Sequence, residues 1–103
     1  MYRPSEGNIV LKGCHEGTQN FSKIKFKDDY TFEIEGGSIG FGYYSSGTYI
    51  QKGDTLKLTF TDNKLVGVGE VLVNDGKMLT SVGERPGGGR YIQFYLGDCR
   101  GLN

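Results

Sequence analysis

The strongest constraint on this fold is a two-residue alternation of apolar and polar side chains that recurs along the chain. Leu56, Leu58 and Phe60 alternate with threonine and lysine. Ile24 and Phe26 alternate with three lysines in the same way. A period of two predicts β-strands with one buried face and one solvent-exposed face, and this arrangement is typical of antiparallel sheets.

The amino-acid composition also points to β-structure. Alanine is absent, whereas the chain has 18 glycines, seven tyrosines and six phenylalanines. Helices of ordinary length need the residues that this chain lacks, while β-branched and aromatic residues suit a pleated, half-buried surface. A chain of 103 residues fits one domain with one core. We therefore predict a single all-β domain over residues 1–103.

Turn residues between the alternating segments predict an antiparallel meander of about eight or nine short strands. The predicted strands cover residues 9–14, 22–26, 30–35, 40–44, 48–51, 55–61, 66–73, 77–82 and 91–96. Open sheet edges invite aggregation, so this many short strands must close into a small barrel or, as the alternative, fold into a β-sandwich.

The turn residues also predict hairpin registers. Pairing Phe26 with Tyr30 leaves a three-residue loop at 27–29, and pairing Ile50 with Leu56 leaves one at 52–54 that carries a glycine. The Asp-Gly dipeptide at 75–76 predicts a tight hairpin. The valine pairs at 66 and 68 and at 71 and 73 lie on opposite phases, so a bulge near Gly69-Glu70 is expected to return both pairs to one face.

Two cysteines lie near opposite ends of the chain, at positions 14 and 99. An even number in a small, glycine-rich β domain favours a Cys14–Cys99 disulfide and an oxidising compartment, although two unrelated buried thiols are the alternative. Met1 leads directly into polar residues, so we expect no signal peptide in this sequence. We expect a mature exported protein, periplasmic or extracellular, with a cytosolic protein as the other possibility.

The net charge and the hydropathy of the chain argue against two kinds of partner, nucleic acid and a membrane that the chain would span. Twelve basic and twelve acidic residues cancel, whereas nucleic-acid binding normally requires a basic excess. No apolar run approaches the ~18 residues of a membrane-spanning helix. We therefore expect no nucleic-acid partner and no membrane span. We also expect no cofactor, and a monomer or weak oligomer.

Three short segments carry much of the turn and strand chemistry: FKDDYTFE at 26–33, SGTY at 46–49 and GDTLKL at 53–58. Together they resemble the D-x-T-F … G-x-Y … G-D-T-L-x-L cadence of small lipocalin-like β-barrel domains in exported bacterial proteins, which include the copper-resistance lipoproteins of the bacterial envelope. The resemblance covers about a third of the chain and implies a barrel in the cell envelope. The C-x-x-C pair of that family is missing here, so no metal role follows from it.

Three local patterns imitate reactive sites. Cys14-His15-Glu16 offers metal ligands or a Cys–His nucleophile, but adjacent residues of a strand point to opposite faces, so we expect no metal site. Residues 11–14 lack the apolar segment that precedes a lipidated cysteine. The glycines at 87–89 lead into a strand rather than a helix and lack the lysine of a phosphate-binding loop, which leaves a hairpin loop that could bind an anion or a partner.

The functional prediction follows from exposed aromatic and loop residues. Several tyrosines oppose the apolar phase, and such side chains suit stacking on sugars or packing on proteins, although outer-face tyrosines are also common in sheets. We predict a non-enzymatic domain that binds a protein, saccharide or small molecule. The alternatives are a lipocalin-like carrier of an apolar ligand and a small glycoside hydrolase in which Glu70 is turned inward. The candidate ligand-binding residues are Tyr43, Tyr44, Tyr91, Arg85, Arg90 and Glu70.

Overall fold

The computed structural model describes residues 6–17, 20–38, 41–62, 68–83, 87–89 and 91–99. These residues form eight strands: β1 (Ile9–Glu16), β2 (Asn20–Lys27), β3 (Thr31–Ser38), β4 (Phe41–Lys52), β5 (Thr55–Asp62), β6 (Val71–Asn74), β7 (Met78–Ser81) and β8 (Phe94–Leu96). Each strand pairs antiparallel with the next, and β8 pairs with β1 to close a barrel. The all-β prediction is confirmed, and the barrel is found rather than the sandwich. Over the described ranges, no helix is long and apolar enough to cross a membrane.

The barrel interior is filled by the side chains that the alternation places inward. The Phe26 ring meets the Tyr49 ring edge-on at 4.9 Å between centroids, and Phe32 meets Phe60 in the same way at 5.1 Å. Edge-to-face pairs of this kind stabilise a core beyond their buried area, by about 0.5–1.5 kcal/mol each. The other buried apolar residues of this cluster include Ile24, Ile34, Leu56, Leu58, Val68, Leu72, Leu79 and Phe94.

Strand β4 corrects the prediction of two separate strands at 40–44 and 48–51. It is one strand of 12 residues, and small residues occupy its centre. Ser45 pairs with Ile34 and is fully buried, while Gly47 pairs with Phe32. A Cβ atom at Gly47 would overlap the backbone carbonyl oxygen of Thr59 on β5 and lie 2.8 Å from the Phe32 ring, so the apolar side chain that the alternation requires does not fit there.

The β2–β3 hairpin is shifted by two residues from the predicted register. Phe26 pairs with Phe32 instead of Tyr30, and the turn contains residues 28–30. Tyr30 has a φ of 65° and an exposed ring, so it occupies the left-handed position that glycine usually fills in a three-residue loop. Nothing in the side chain of a tyrosine predicts this conformation.

The β4–β5 hairpin is shifted by one residue from the predicted register. Gln51 pairs with Leu56, so Ile50 faces solvent and Tyr49 faces the core. The loop has two residues, and its first, Gly53, has a φ of 58°. A two-residue loop that begins with a left-handed glycine matches the twist of the strands better than the predicted three-residue loop.

The segment that enters β6 is irregular, as expected, but its inward residues differ from the prediction. Residues 68–70 lie outside the strand, and the next inward side chain is Leu72, which pairs with Leu56. Val71 and Val73 are only half-buried, so the inward placement predicted for them is wrong. Val66 lies outside the described residues. Strand β8 is also shorter than predicted and begins at Phe94.

The antiparallel meander gives the barrel two different ends. The short turns at 28–30, 53–54 and 75–77 lie at one end, which we call the turn end. The connections β1–β2, β3–β4, β5–β6 and β7–β8 lie at the other, which we call the loop end. Toward the loop end the inward residues become polar, and Ser22 and Ser45 are both buried there. Loops on a rigid scaffold commonly carry function.

Candidate functional site

The structure places four predicted site residues at the loop end but does not bring all of them together. Tyr43 and Tyr44 lie near the start of β4, whereas Tyr91 precedes β8. A Cβ atom on Gly69 would lie 3.4 Å from the Tyr91 ring, so Tyr91 packs beside the β5–β6 connection, away from the other two. Arg85 and Arg90 lie outside the described residues.

Glu70 bears on the hydrolase alternative, which requires its carboxylate to turn inward. Its side chain is exposed, while its backbone carbonyl accepts a hydrogen bond of 2.7 Å from the amide of Leu58. The irregular segment thus continues the hydrogen bonding along β5 without turning Glu70 into the barrel. The inward acid on which the hydrolase alternative depends is absent from this position.

Tyr43 and Tyr44 border a shallow open depression of about 470 Å³ on β2, β3 and β4, which we call the β2–β4 depression. Phe21 and Lys23 of β2 and Glu35 of β3 complete its border. Lys23 pairs with Glu35, and Glu35 pairs with Tyr44, so these three side chains form one outward row across three strands. Phe21 lies two residues from Lys23 and therefore faces outward beside this row.

Glycine leaves the depression open on one side. The row that contains Phe21 continues through two glycines, and the second of these, Gly42, is exposed and also lines the depression. A Cβ atom at Gly42 would meet nothing closer than 3.6 Å, so the space above it is accessible. Phe21 is 39% exposed although it is a large apolar residue on the wet face. The Lys23 ammonium lies 5.6 Å from the centre of the Phe21 ring, a cation–π distance.

Tyr43 supports the depression from the inner face of the sheet. Its hydroxyl forms a hydrogen bond with the hydroxyl of Ser22, and its ring lies over Gly36, where a Cβ atom would be 2.5 Å from the ring carbon Cζ. A tyrosine in this position needs glycine beneath it. Tyr43 therefore fixes β2, β3 and β4 relative to one another, while Tyr44 presents its side chain on the outer face.

The depression combines features that suit a polyhydroxylated ligand. Phe21 and Tyr44 offer apolar ring surface, Lys23 offers hydrogen-bond donors, and Glu35 offers acceptors. The border carries one ammonium and one carboxylate, and the ammonium of Lys25 also lies 4.0 Å from the Glu35 carboxylate, so the charges here are of mixed sign and do not form a single-sign field. Because the depression is shallow and open, it suits one face of an extended ligand rather than an enclosed small molecule.

A second feature lies at the seam where β8 closes the barrel against β1. Cys14 and Cys99 form a disulfide, with their Cα atoms 5.2 Å apart, as predicted from the sequence. Beside it is a pocket of about 620 Å³ whose lining includes Glu16, Lys77 and Tyr95. The pair is compatible with an oxidising compartment.

Sequence reasoning missed Phe21, Lys23 and Glu35 as candidate site residues, and it considered Glu16 only within Cys14-His15-Glu16, where no metal site was expected. Phe21 precedes the predicted start of its strand, yet it shares the phase of Lys23, and an aromatic residue on a lysine-bearing face was the available signal. Glu35 looked like part of an ordinary solvated face. Only the pairing of three strands shows that these residues border one depression.

Comparison of this chain with protein families, with curated proteins and with solved structures finds no match.

Proposed function

We propose that the protein is a non-enzymatic binding domain of an exported bacterial protein, and that it binds a saccharide in the β2–β4 depression. The observation that carries this proposal is the exposed Phe21 ring, which shares an open border with Tyr44 and with the oppositely charged side chains of Lys23 and Glu35. Pyranose rings present a face of C–H groups that packs on aromatic rings, and their hydroxyls both donate and accept hydrogen bonds.

The charge of the border favours a saccharide over a polyanion. Lys23 and Glu35 are paired in neighbouring strands, and the Glu35 carboxylate also lies 4.0 Å from the Lys25 ammonium, so it offsets part of the positive field of the two lysines. A neutral saccharide loses little by this cancellation because its hydroxyls bind through directional hydrogen bonds. A nucleic acid or an acidic polymer would lack the basic excess that supplies its affinity.

The disulfide supports the proposed export. Disulfides persist in oxidising compartments, and this one connects residues 85 positions apart in a small domain. The bacterial envelope is favoured by the resemblance of residues 26–58 to the motifs of small lipocalin-like β-barrel domains in exported bacterial proteins.

The two alternatives receive less support from the described residues. A carrier needs an interior cavity of several hundred Å³, roughly the size of known ligand pockets, whereas Phe26, Phe32 and Phe94 are fully buried inside this barrel. A hydrolase needs a pair of convergent acidic groups, and Glu70 is exposed on the outer side of the β5–β6 connection.

Calorimetric titration with soluble oligosaccharides tests the proposal. A panel of cello-, chito-, manno- and laminari-oligosaccharides and muropeptides is titrated into the wild type, Phe21→Ala and Tyr95→Ala. Tyr95 is the matched control, because it is an exposed aromatic residue at the seam and not in the depression. We expect binding by the wild type and Tyr95→Ala, and a loss of about tenfold or more in Phe21→Ala, which corresponds to roughly 1.4 kcal/mol. Failure of the whole panel to bind, or equal losses in the two variants, would contradict the proposal.

A further inference from the structure

The surroundings of the disulfide contain a third potential metal ligand. The sulfur atoms of Cys14 and Cys99 and a carboxylate oxygen of Glu16 all lie within 4.8 Å of one another. Cys14 and Glu16 are two residues apart on β1, so the alternation of the strand directs both to its outer face. The same alternation directs His15 to the opposite face of β1, and its Nδ1 lies 3.2 Å from the carbonyl oxygen of Gln93.

We propose that reduction of the disulfide converts this cluster into a zinc-binding site with Cys14, Cys99 and Glu16 as ligands. The disulfide and the bound metal are then two mutually exclusive states of one pair of cysteines. This proposal does not depend on saccharide binding in the β2–β4 depression.

Cys99 is held beside β1 by interactions other than the disulfide. Strand β8 pairs with β1 through Gly13 and Cys14, and the amide of Gly97 donates a hydrogen bond of 2.9 Å to the carbonyl oxygen of Lys12. The ammonium of Lys12 also lies 2.7 Å from the carboxylate of Asp98, the residue before Cys99. Reduction therefore leaves the two thiols as neighbours, so the donors are arranged before the metal arrives.

The carboxylate oxygen of Glu16 lies within 4.8 Å of both sulfur atoms of the disulfide. Two thiolates bound to one zinc, each about 2.3 Å from the metal, stand about 3.8 Å apart, so the two sulfurs separate by this amount once their bond is reduced. Two sulfurs and one carboxylate oxygen supply three ligands, and the adjoining pocket gives a water molecule access to the fourth position. Carboxylate and thiolate ligands together favour zinc over the hard cations magnesium and calcium, which prefer oxygen alone.

The chemistry balances with a phosphine as the reductant. The phosphine gives two electrons to the sulfur–sulfur bond and takes the oxygen of one water molecule, and the two hydrogens of that water convert the separated sulfurs into thiols. Zinc binding then displaces the two thiol protons to the solvent. Since zinc binds only the reduced form, it should also make the pair harder to oxidise.

The test uses the full chain, reduced with a water-soluble phosphine and then titrated with zinc chloride against a chromophoric chelator. We expect one zinc ion per reduced chain, confirmed by native mass spectrometry, and none per unreduced chain. Cobalt should replace zinc and give the intense visible bands of a tetrahedral site together with thiolate charge transfer in the near ultraviolet.

Variants distinguish the three-ligand site from adventitious thiol binding. Glu16→Gln keeps both cysteines and should weaken zinc binding by about tenfold or more, because even residues that only orient a metal ligand are worth about 10–100-fold. Glu6→Gln, an exposed glutamate outside the cluster, is the matched control and should bind as the wild type does. Circular dichroism of the reduced, metal-free protein should retain the β spectrum of the oxidised one.

Three outcomes would overturn the proposal. Reduced wild-type protein that binds no stoichiometric zinc has no such site. Equal affinity of Glu16→Gln and the wild type would remove the carboxylate from the ligand set. Unfolding on reduction alone would show that the donors are not held in place without the disulfide.

Discussion

The ammonium of Lys27 lies 2.5 Å from a carboxylate oxygen of Glu33, and the two side chains are only 9% and 13% exposed. The alternation places Lys27 on the wet face of β2 together with two other lysines. At the turn end, however, Lys27 pairs with Ile9 of β1, and its carbonyl oxygen accepts a hydrogen bond of 2.7 Å from the hydroxyl of Tyr49. Lys27 and Glu33 therefore belong to the packed structure rather than to a binding surface.

We expect Glu33→Gln to destabilise the protein by about 2–4 kcal/mol, because it leaves the Lys27 ammonium largely buried without its charged partner. Glu35→Gln is the matched control, since the Lys25–Glu35 pair is 4.0 Å apart and considerably more exposed. Loss of the Lys25–Glu35 pair should lower the free energy of unfolding by less than about 1 kcal/mol. Urea denaturation of both variants measures the free energies of unfolding. Equal losses would show that the buried Lys27–Glu33 pair stabilises the protein no more than the exposed Lys25–Glu35 pair.

Gly36→Ala should destabilise the barrel by about 1–3 kcal/mol, because the new methyl group would overlap the Tyr43 ring and a backbone carbonyl oxygen of β2. Gly42→Ala adds the same methyl group on the neighbouring strand β4, where the nearest atom, the carbonyl oxygen of Gly36, lies at an ordinary 3.6 Å. That variant should change the free energy of unfolding by no more than about 0.5 kcal/mol. Thermal denaturation compares the stabilities of the two variants. A Gly36→Ala variant as stable as the wild type would contradict the claim that the Tyr43 ring requires a residue without a side chain at position 36.

Asp75 should contribute a pH-dependent part of the stability. Its carboxylate accepts hydrogen bonds of 2.8 Å from the amides of Lys77 and Met78, and these bonds lower the pKa of Asp75 in the folded protein. A lowered folded pKa means that the ionised group stabilises the fold above the unfolded pKa of about 3.9, and that this contribution is lost as the pH falls through the folded value.

Asp75→Asn keeps the shape of the side chain but removes its charge. The wild type should exceed this variant in free energy of unfolding at pH 7, and the difference should shrink as the pH is lowered below about 4. Urea denaturation across that range measures the difference. A gap between the two proteins that stays constant with pH would contradict the assignment.

The sequence predicts which faces are buried better than it predicts how the strands are paired. A period of two places Ile24, Phe26 and Leu58 inward whatever the register, and all three are buried. Register depends on turn geometry, and Tyr30 adopts the left-handed conformation without being a residue that favours it. The alternation also fails at Ser45, a fully buried polar residue whose hydroxyl donates a hydrogen bond of 2.9 Å to the carbonyl oxygen of Asp62.

The candidate site was only partly predictable for a related reason. Tyr43 and Tyr44 stand out in the sequence as aromatic residues beside glycines, and both border the depression. Phe21 and Glu35 become their neighbours only through the pairing of β2 with β3 and of β3 with β4. A site assembled across strands depends on register, which is the level at which sequence reasoning failed in two hairpins.

Saccharide binding in the β2–β4 depression is tested most directly by amide chemical-shift mapping of isotope-labelled protein during titration with each oligosaccharide of the panel. We predict shifts that saturate and that concentrate on β2, β3 and β4 around Phe21, Glu35 and Tyr44, while the seam around Tyr95 is unaffected. Saturating shifts centred on the seam or on the barrel interior would contradict the proposed site, and an unchanged spectrum with every oligosaccharide would contradict saccharide binding itself.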